Sequence, residues 1–144
     1  MPIAVKRVYE SASPSDGSRV LVDRLWPRGL RKSEVAAKEW LRDLAPSNEL
    51  RKWFHAHPER WTLFRRRYLK ELAAPEAEQD LKKLYDLAHG KGQLTLLYAS
   101  KNETNNNATV LKELLDGMRK PPTGTGPAPV QSMRTRNAVV RRRK

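Results

Sequence analysis

Apolar residues in this chain cluster in short continuous runs near both ends of the first 117 residues and at helical spacing between them. Ile3 to Tyr9 reads as a first strand, with Ile3, Val5 and Val8 apolar and Lys6-Arg7 interrupting them. Ser11 to Gly17 is turn chemistry. Val20 to Leu25 reads as a second strand whose continuous apolar start implies burial on both faces, as in an α/β sheet. Ser33 is placed to cap a short helix over 34–38, and Trp40 to Ala45 fits either a third short strand or an extended connector. Ser47 then caps a helix over 48–55, and Pro58 suits the first position of the next. In that next helix Trp61, Phe64, Tyr68 and Leu72 form one apolar stripe, with Arg65, Arg66 and Lys70 outside it. Pro75 opens a third long helix with Ala77, Leu81, Leu84 and Ala88 inward, and Gly90 and Gly92 end it. Leu94 to Tyr98 is a short apolar strand. A polar loop from Ser100 to Asn105 leads into a last helix, with Ala108, Leu111 and Leu115 inward and Gly117 closing it.

The order strand, strand, helices, strand, helix predicts an α/β fold: a small mixed or parallel sheet of three to four strands covered by helices. Strands joined by helical crossovers run parallel, so the second strand and Leu94–Tyr98 should point the same way. Residues 1–117 read as one such domain. Residues 118–144 turn to Pro, Gly, Thr and Arg without periodicity and read as a disordered tail.

Charge sharpens that boundary. The chain of 144 residues carries a formal net charge of +13. All 16 acidic residues lie in 1–117 beside 21 of the 29 Lys and Arg, so the body is mildly basic and the tail holds most of the excess. With no cysteine, disulfides, thiolate nucleophiles and Cys-ligated metals are excluded. No apolar run is long enough for a signal peptide or a membrane span, which predicts a cytoplasmic protein without a membrane partner.

The candidate chemistry sits in DGSRVLVDRLWPRG, residues 16–29. Asp23, Arg24, Trp26 and Arg28 crowd the exit of the second strand, with Pro27 and Gly29 shaping the backbone. In an open parallel sheet, ligands bind outside the carboxyl ends of the strands. Two polar loops, 23–29 and 100–106, should leave on that side. Arg24, Arg28 and Lys101, with the last helix's N-terminus, form a candidate anion site, and Trp26 offers a stacking wall. Plainer readings stand beside these. Asp23 and Arg24 can pair with each other or with neighbouring charges, Trp26 can be core, and Arg7 can be a solvated edge charge. Trp53 and the Trp61 stripe read as helix-face core, and Arg65–Arg67 as a solvated face. Asn106 belongs to an Asn105–Asn107 run that caps the last helix and also lies within reach of a ligand. His55 is a candidate acid/base group with no partner evident in the sequence. His55, His57 and His89 have no metal-ligand spacing, so no metal or other cofactor is expected. GxxxxGKS/T and GxGxxG are both absent.

KRVYE, DGSRVLVDRLWPRG, APSNELRKWFH, FRRRYLKEL and LTLLYASKN occur in that order. Together they resemble the YeaO-like family, domain of unknown function 488, over residues 1 to about 117. The resemblance implies a compact α/β domain and no established activity. It picks out Lys6, Arg7, Asp23, Arg24, Trp26, Pro27, Arg28 and Gly29, then Pro46, Ser47, Arg67, Tyr68, Tyr98, Lys101 and Asn106. It therefore adds Tyr98 to the candidate ligand-binding residues. Two positions depart from the family pattern: Ala56 where many members have a second histidine, and Asn102 where they often have aspartate. The second departure weakens a carboxylate-dependent mechanism at that loop and favours anion binding.

The leading expectation is thus a domain that binds a phosphorylated or nucleotide-like anion, with catalysis left open. The alternative is a nucleic-acid-associated protein using Arg134, Arg136, Arg141, Arg142, Arg143 and Lys144 of the tail together with the basic helix face. A partner-binding protein without a ligand is the third.

Overall fold

The computed structural model describes residues 3–122. The sheet has four strands, β1 (Ile3–Arg7), β2 (Ser18–Leu21), β3 (Glu39–Trp40) and β4 (Leu94–Tyr98), in the order β1-β4-β2-β3. Every pairing is parallel, with Val5 and Val20 both opposite Leu96 in the two ladders of β4. The helices are α1 (Lys32–Val35), α2 (Asn48–Ala56), α3 (Trp61–Leu72), α4 (Glu78–Ala88) and α5 (Asn107–Gly117). The expected α/β fold is present, and its sheet is parallel throughout.

β4 explains why the sheet is buried on both faces. All five residues of Leu94–Tyr98 are buried. Leu94, Leu96 and Tyr98 face a core built with Phe64, Tyr68 and Leu72 of α3, Leu81 and Leu84 of α4, and Leu111 and Leu115 of α5. Leu97 points the other way, onto a smaller cluster of Val8, Leu21 and Val35 flanked by Trp26, Leu30 and Trp40. Alternating residues on a strand reach opposite faces. The four longer helices therefore contribute to one core, and α1 with the connecting segments around it covers the other face.

Several boundaries differ from the sequence reading, each for a local reason. β1 ends at Arg7 because the Glu10 amide turns back onto the Arg7 carbonyl at 3.0 Å. β2 stops at Leu21, before Asp23 takes the chain onto the neighbouring loop. α1 is capped at Arg31 rather than Ser33, since Glu34 Oε1 accepts the Arg31 amide at 2.7 Å, and Ala36 ends it in the left-handed region at φ 50°. The 40–45 segment is both a strand and a connector: β3 passes at once into a 3-10 turn at Arg42–Leu44. Pro58 lies in the turn before α3, where the Arg60 amide bonds the His57 carbonyl. Pro75 opens a 3-10 turn that runs straight into α4. Gly117 is the last residue of α5, and Met118 caps it. Of the segment read as a disordered tail, residues 118–122 are described: Met118 packs against the core and the Arg119 carbonyl accepts the Tyr85 hydroxyl at 3.2 Å, so the body extends past Gly117. The rest, with its six basic candidates from Arg134 to Lys144, lies outside the described residues.

Candidate functional site

The C-terminal ends of β1, β4 and β2 are laced together by side chains. Asp23 follows β2; one of its oxygens accepts the Ala99 amide at 2.8 Å, and the other accepts Asn107 Nδ2 at 3.0 Å. The same Asn107 nitrogen donates to the Val22 carbonyl at 2.9 Å, so the first residue of α5 is pinned to the end of β2. Burial pushes the Asp23 carboxyl up from the ordinary aspartate range, against the bonds from Asn107 and Ala99 and the charge of Arg51. No Asp23–Arg24 ion pair forms among the described residues. The Arg24 guanidinium instead donates to the carbonyls of Pro46 at 3.1 Å and Ala45 at 3.4 Å, clamping the segment that leads into α2.

Arg7 makes the equivalent clamp on the other side. Its Nε donates to the carbonyls of Ala99 at 3.2 Å and Ser100 at 3.0 Å, and its guanidinium lies 5.0 Å from the centre of the Tyr9 ring. Tyr9 in turn donates its hydroxyl to the Arg28 carbonyl at 3.0 Å. Arg7, the Arg28 backbone and the loop carrying Lys101 are thereby gathered at one sheet edge. The side chains of Arg28 and Lys101 are exposed and make no hydrogen bond or ion pair among the described residues.

The remaining candidates divide. Trp26 is half-buried, donates its indole N–H to the Leu30 carbonyl at 2.7 Å and meets Trp40 edge-on at 5.3 Å, so it packs the second face of the sheet. Tyr98 is buried in the helix-side core, and burial followed by the charges of Glu103 and Glu10 raises its hydroxyl above the usual tyrosine value. Asn106 is the α5 cap: its Oδ1 accepts the Thr109 amide at 3.0 Å, and its Nδ2 donates to the Asn102 carbonyl at 2.9 Å. Asn102 organises the loop through its own oxygen, which accepts the amides of Thr104 and Asn105. His55 is exposed in the last turn of α2 and makes no side-chain hydrogen bond or ion pair among the described residues.

Sequence reasoning missed a second feature beside this edge. A cleft of about 550 Å³ opens between α2 and α3, lined by Ser47, Glu49, Leu50, Trp53, Arg67, Lys70 and Glu71. Ser47 caps α2 and also hands its amide and hydroxyl to the Glu71 carboxylate, at 2.8 and 2.6 Å. Ser47 follows Pro46, whose carbonyl Arg24 holds, so the cleft begins where the sheet edge ends. The family resemblance had picked out Ser47 and Arg67, but the pairing across the cleft is between residues 24 positions apart and leaves no local pattern. Arg51 was also missed. Its Nε is buried and has no hydrogen-bond partner. Among the described residues, no group of His, Asp or Glu is arranged to hold a metal ion, and no helix is long and apolar enough to cross a membrane.

A parallel sheet with helices packed on it and hydrogen-bonded loops at its carboxyl edge defines a small α/β domain. The chain belongs to the family described as the inactive DUF488-N3 subclade, which it matches over residues 2–126, in keeping with the YeaO-like resemblance. The uncharacterised protein YeaO of Escherichia coli K12 is 51% identical over 115 residues, covering 80% of this chain and 97% of YeaO. The uncharacterised protein Rv3073c of Mycobacterium tuberculosis H37Rv is 44% identical over 115 residues, 80% of this chain and 94% of that protein. No solved structure matches the chain.

Proposed function

We propose that this domain binds a small phosphorylated or nucleotide-like anion at the carboxyl edge of its sheet and does not turn it over. One observation carries the reading: Arg28 and Lys101 extend two exposed cationic side chains from loops that Arg7, Tyr9 and Asp23 tie together. Oxyanions are recognised by charge-assisted donors of this kind. Binding without turnover follows from two further points. The family is described as inactive, and both oxygens of Asp23, the acid at the edge, already accept hydrogen bonds from Ala99 and Asn107.

Arg7 and Arg24 hold backbone carbonyls, so removing them unsettles the edge itself. The double variant Arg28→Ala/Lys101→Ala removes charge and leaves those clamps alone. Inorganic phosphate and a nucleoside monophosphate are expected to raise the parent's melting temperature. The double variant should melt like the parent and lose that rise. Parent and variant responding alike to the same anions defeats the reading.

A second reading, nucleic-acid association, rests on charge. Residues 118–144 carry 8 Lys and Arg and no acid, and Arg66, Arg67 and Lys70 are exposed along α3. Arg65 is less available, being paired with Glu113 at 2.9 Å. Such binding weakens steeply with salt through counterion release. Replacing Arg134, Arg136, Arg141, Arg142, Arg143 and Lys144 with serine should flatten the salt dependence of affinity for a random-sequence duplex. An unchanged slope rules out the tail.

A further inference from the structure

We propose that the cleft between α2 and α3 is a separate binding site, for a small molecule carrying a carboxylate or phosphate on a compact apolar or aromatic body. It stands independently of the sheet-edge reading, because none of the groups that argue for it belongs to the edge loops.

Size comes first. A cleft of about 550 Å³ is in the range of metabolite pockets, roughly 300–1,000 Å³. Its chemistry divides into two parts. Leu50, buried, and Trp53, half-buried, supply an apolar wall. Arg67 and Lys70, one helical turn apart on α3, supply two exposed cations on the same side. The Arg67 guanidinium lies 4.6 Å from the centre of the Trp53 ring. Stacking of this kind holds the planar group by its face and leaves the N–H edges available to an oxyanion. Neither Arg67 nor Lys70 makes a hydrogen bond or ion pair among the described residues. The carboxylate nearest in sequence, Glu71, has its two oxygens on the Ser47 amide and hydroxyl. With Glu49 the lining holds two acids and two bases and is formally neutral, but Arg67 and Lys70 keep their N–H groups without a protein acceptor among the described residues while the Glu71 oxygens are engaged by Ser47. Two cationic donors without such an acceptor and an indole wall select an anionic head on a flat or apolar body.

Phenyl phosphate and phenylacetate are suitable probes, titrated into the full chain and followed by amide, indole and guanidinium nitrogen–proton spectra. Saturable shifts are expected at the Leu50 amide, the Trp53 indole and Arg67 Nε. Arg67→Gln should weaken the better probe by about tenfold or more. Lys70→Gln, at another exposed position, gives the same readout if Arg67→Gln lowers the melting temperature. Glu49→Gln should tighten binding, since it removes the opposing charge. Saturation by phenyl phosphate alone assigns the site to phosphate esters; saturation by both assigns it to oxyanions generally. The Arg28→Ala/Lys101→Ala variant should leave these titrations unchanged, which separates this site from the sheet edge. Non-saturating shifts through millimolar probe, shifts confined to 23–29 and 99–106, or parent-like affinity in both Arg67→Gln and Lys70→Gln overturn the proposal.

Discussion

Asp23, leaving β2, accepts the amide of Ala99, leaving β4, at 2.8 Å across 76 positions of chain. With the second bond from Asn107, this carboxylate is the point where two strand ends and the start of α5 are joined. It behaves as a structural knot at the place where the sequence reading put a ligand.

Removing that knot should cost stability in a graded way. Asp23→Ala leaves the Ala99 amide without its acceptor and takes from Asn107 Nδ2 one of its two, the Val22 carbonyl remaining, which corresponds to about 2–3 kcal/mol for hydrogen bonds to a charged group. Asp23→Asn keeps one oxygen but turns an amide NH₂ toward one of two donors, and should lose about 1 kcal/mol. Urea unfolding of the two variants tests the order. Equal losses would mean that the side chain's volume, rather than its acceptors, matters.

At the opposite end of β2, Asp16 is buried against two cations. Arg19 Nη1 lies 2.6 Å from it and Lys6 Nζ 3.1 Å. Burial acts to raise its carboxyl, but the Ser13 amide, Lys6 and Arg19 outweigh that and hold it below the ordinary aspartate value. A carboxyl lowered in the folded state stabilises fully above its unfolded value, about pH 4, and that contribution disappears as the pH falls through the folded value. Asp16→Asn strands the buried Arg19 charge, so it should cost about 3 kcal/mol near neutrality. The gap between parent and variant should narrow below about pH 4. Chemical denaturation at neutral and acidic pH measures it, and a gap that widens on acidification contradicts the assignment.

Two glycines with positive φ separate steric contact from backbone preference. Gly17 has φ 66°, and a Cβ there would stand 2.1 Å from the Gln93 carbonyl oxygen; Gly29 has φ 83° and open space around the same position. Gly29→Ala should cost only the left-handed penalty, about 1–2 kcal/mol. Gly17→Ala must also push β2 away from the segment entering β4, and should lose roughly 3 kcal/mol or more. Comparable melting temperatures for the two variants would show that the 17–93 contact yields easily.

What the sequence carries and what it hides follow from the range of each interaction. β4 is legible because an apolar run after Gly92 needs no distant partner to be recognised, and it spans Leu94–Tyr98 as read. Ser47 and Asn106 are legible because a cap bonds residues three further on. The α3 stripe is legible for the same local reason, with Phe64, Tyr68 and Leu72 all buried. Arg19 is not: it stands between Ser18 and the apolar run that starts at Val20, where an exposed charge would be ordinary, yet it is buried, with its charge met by Asp16 from the preceding turn and by the Val35 carbonyl. The roles of Arg7 and Arg24 are hidden too, because a cation that holds backbone carbonyls looks like a cation awaiting a ligand until the loops are in place. The cleft was invisible because α2 and α3 each place charged residues where an ordinary solvated face would have them.

Arg51 provides the most discriminating of these tests, since its two effects oppose each other. Its Nε is buried without an acceptor, so replacing the side chain with methionine removes an unsatisfied polar group and should help by about 1 kcal/mol. Its charge also opposes the burial that raises the Asp23 carboxyl. In Arg51→Met that carboxyl should rise further, so keeping Asp23 ionised costs the folded state more. Where Asp23 is protonated only the gain remains; as the pH climbs through the raised Asp23 titration, the variant should lose ground to the parent. Unfolding free energies across the acidic to neutral range are expected to cross or converge, with Arg51→Met ahead in acid. A difference independent of pH would mean that Arg51 and Asp23 do not interact, and that Asp23 is held by Ala99 and Asn107 alone.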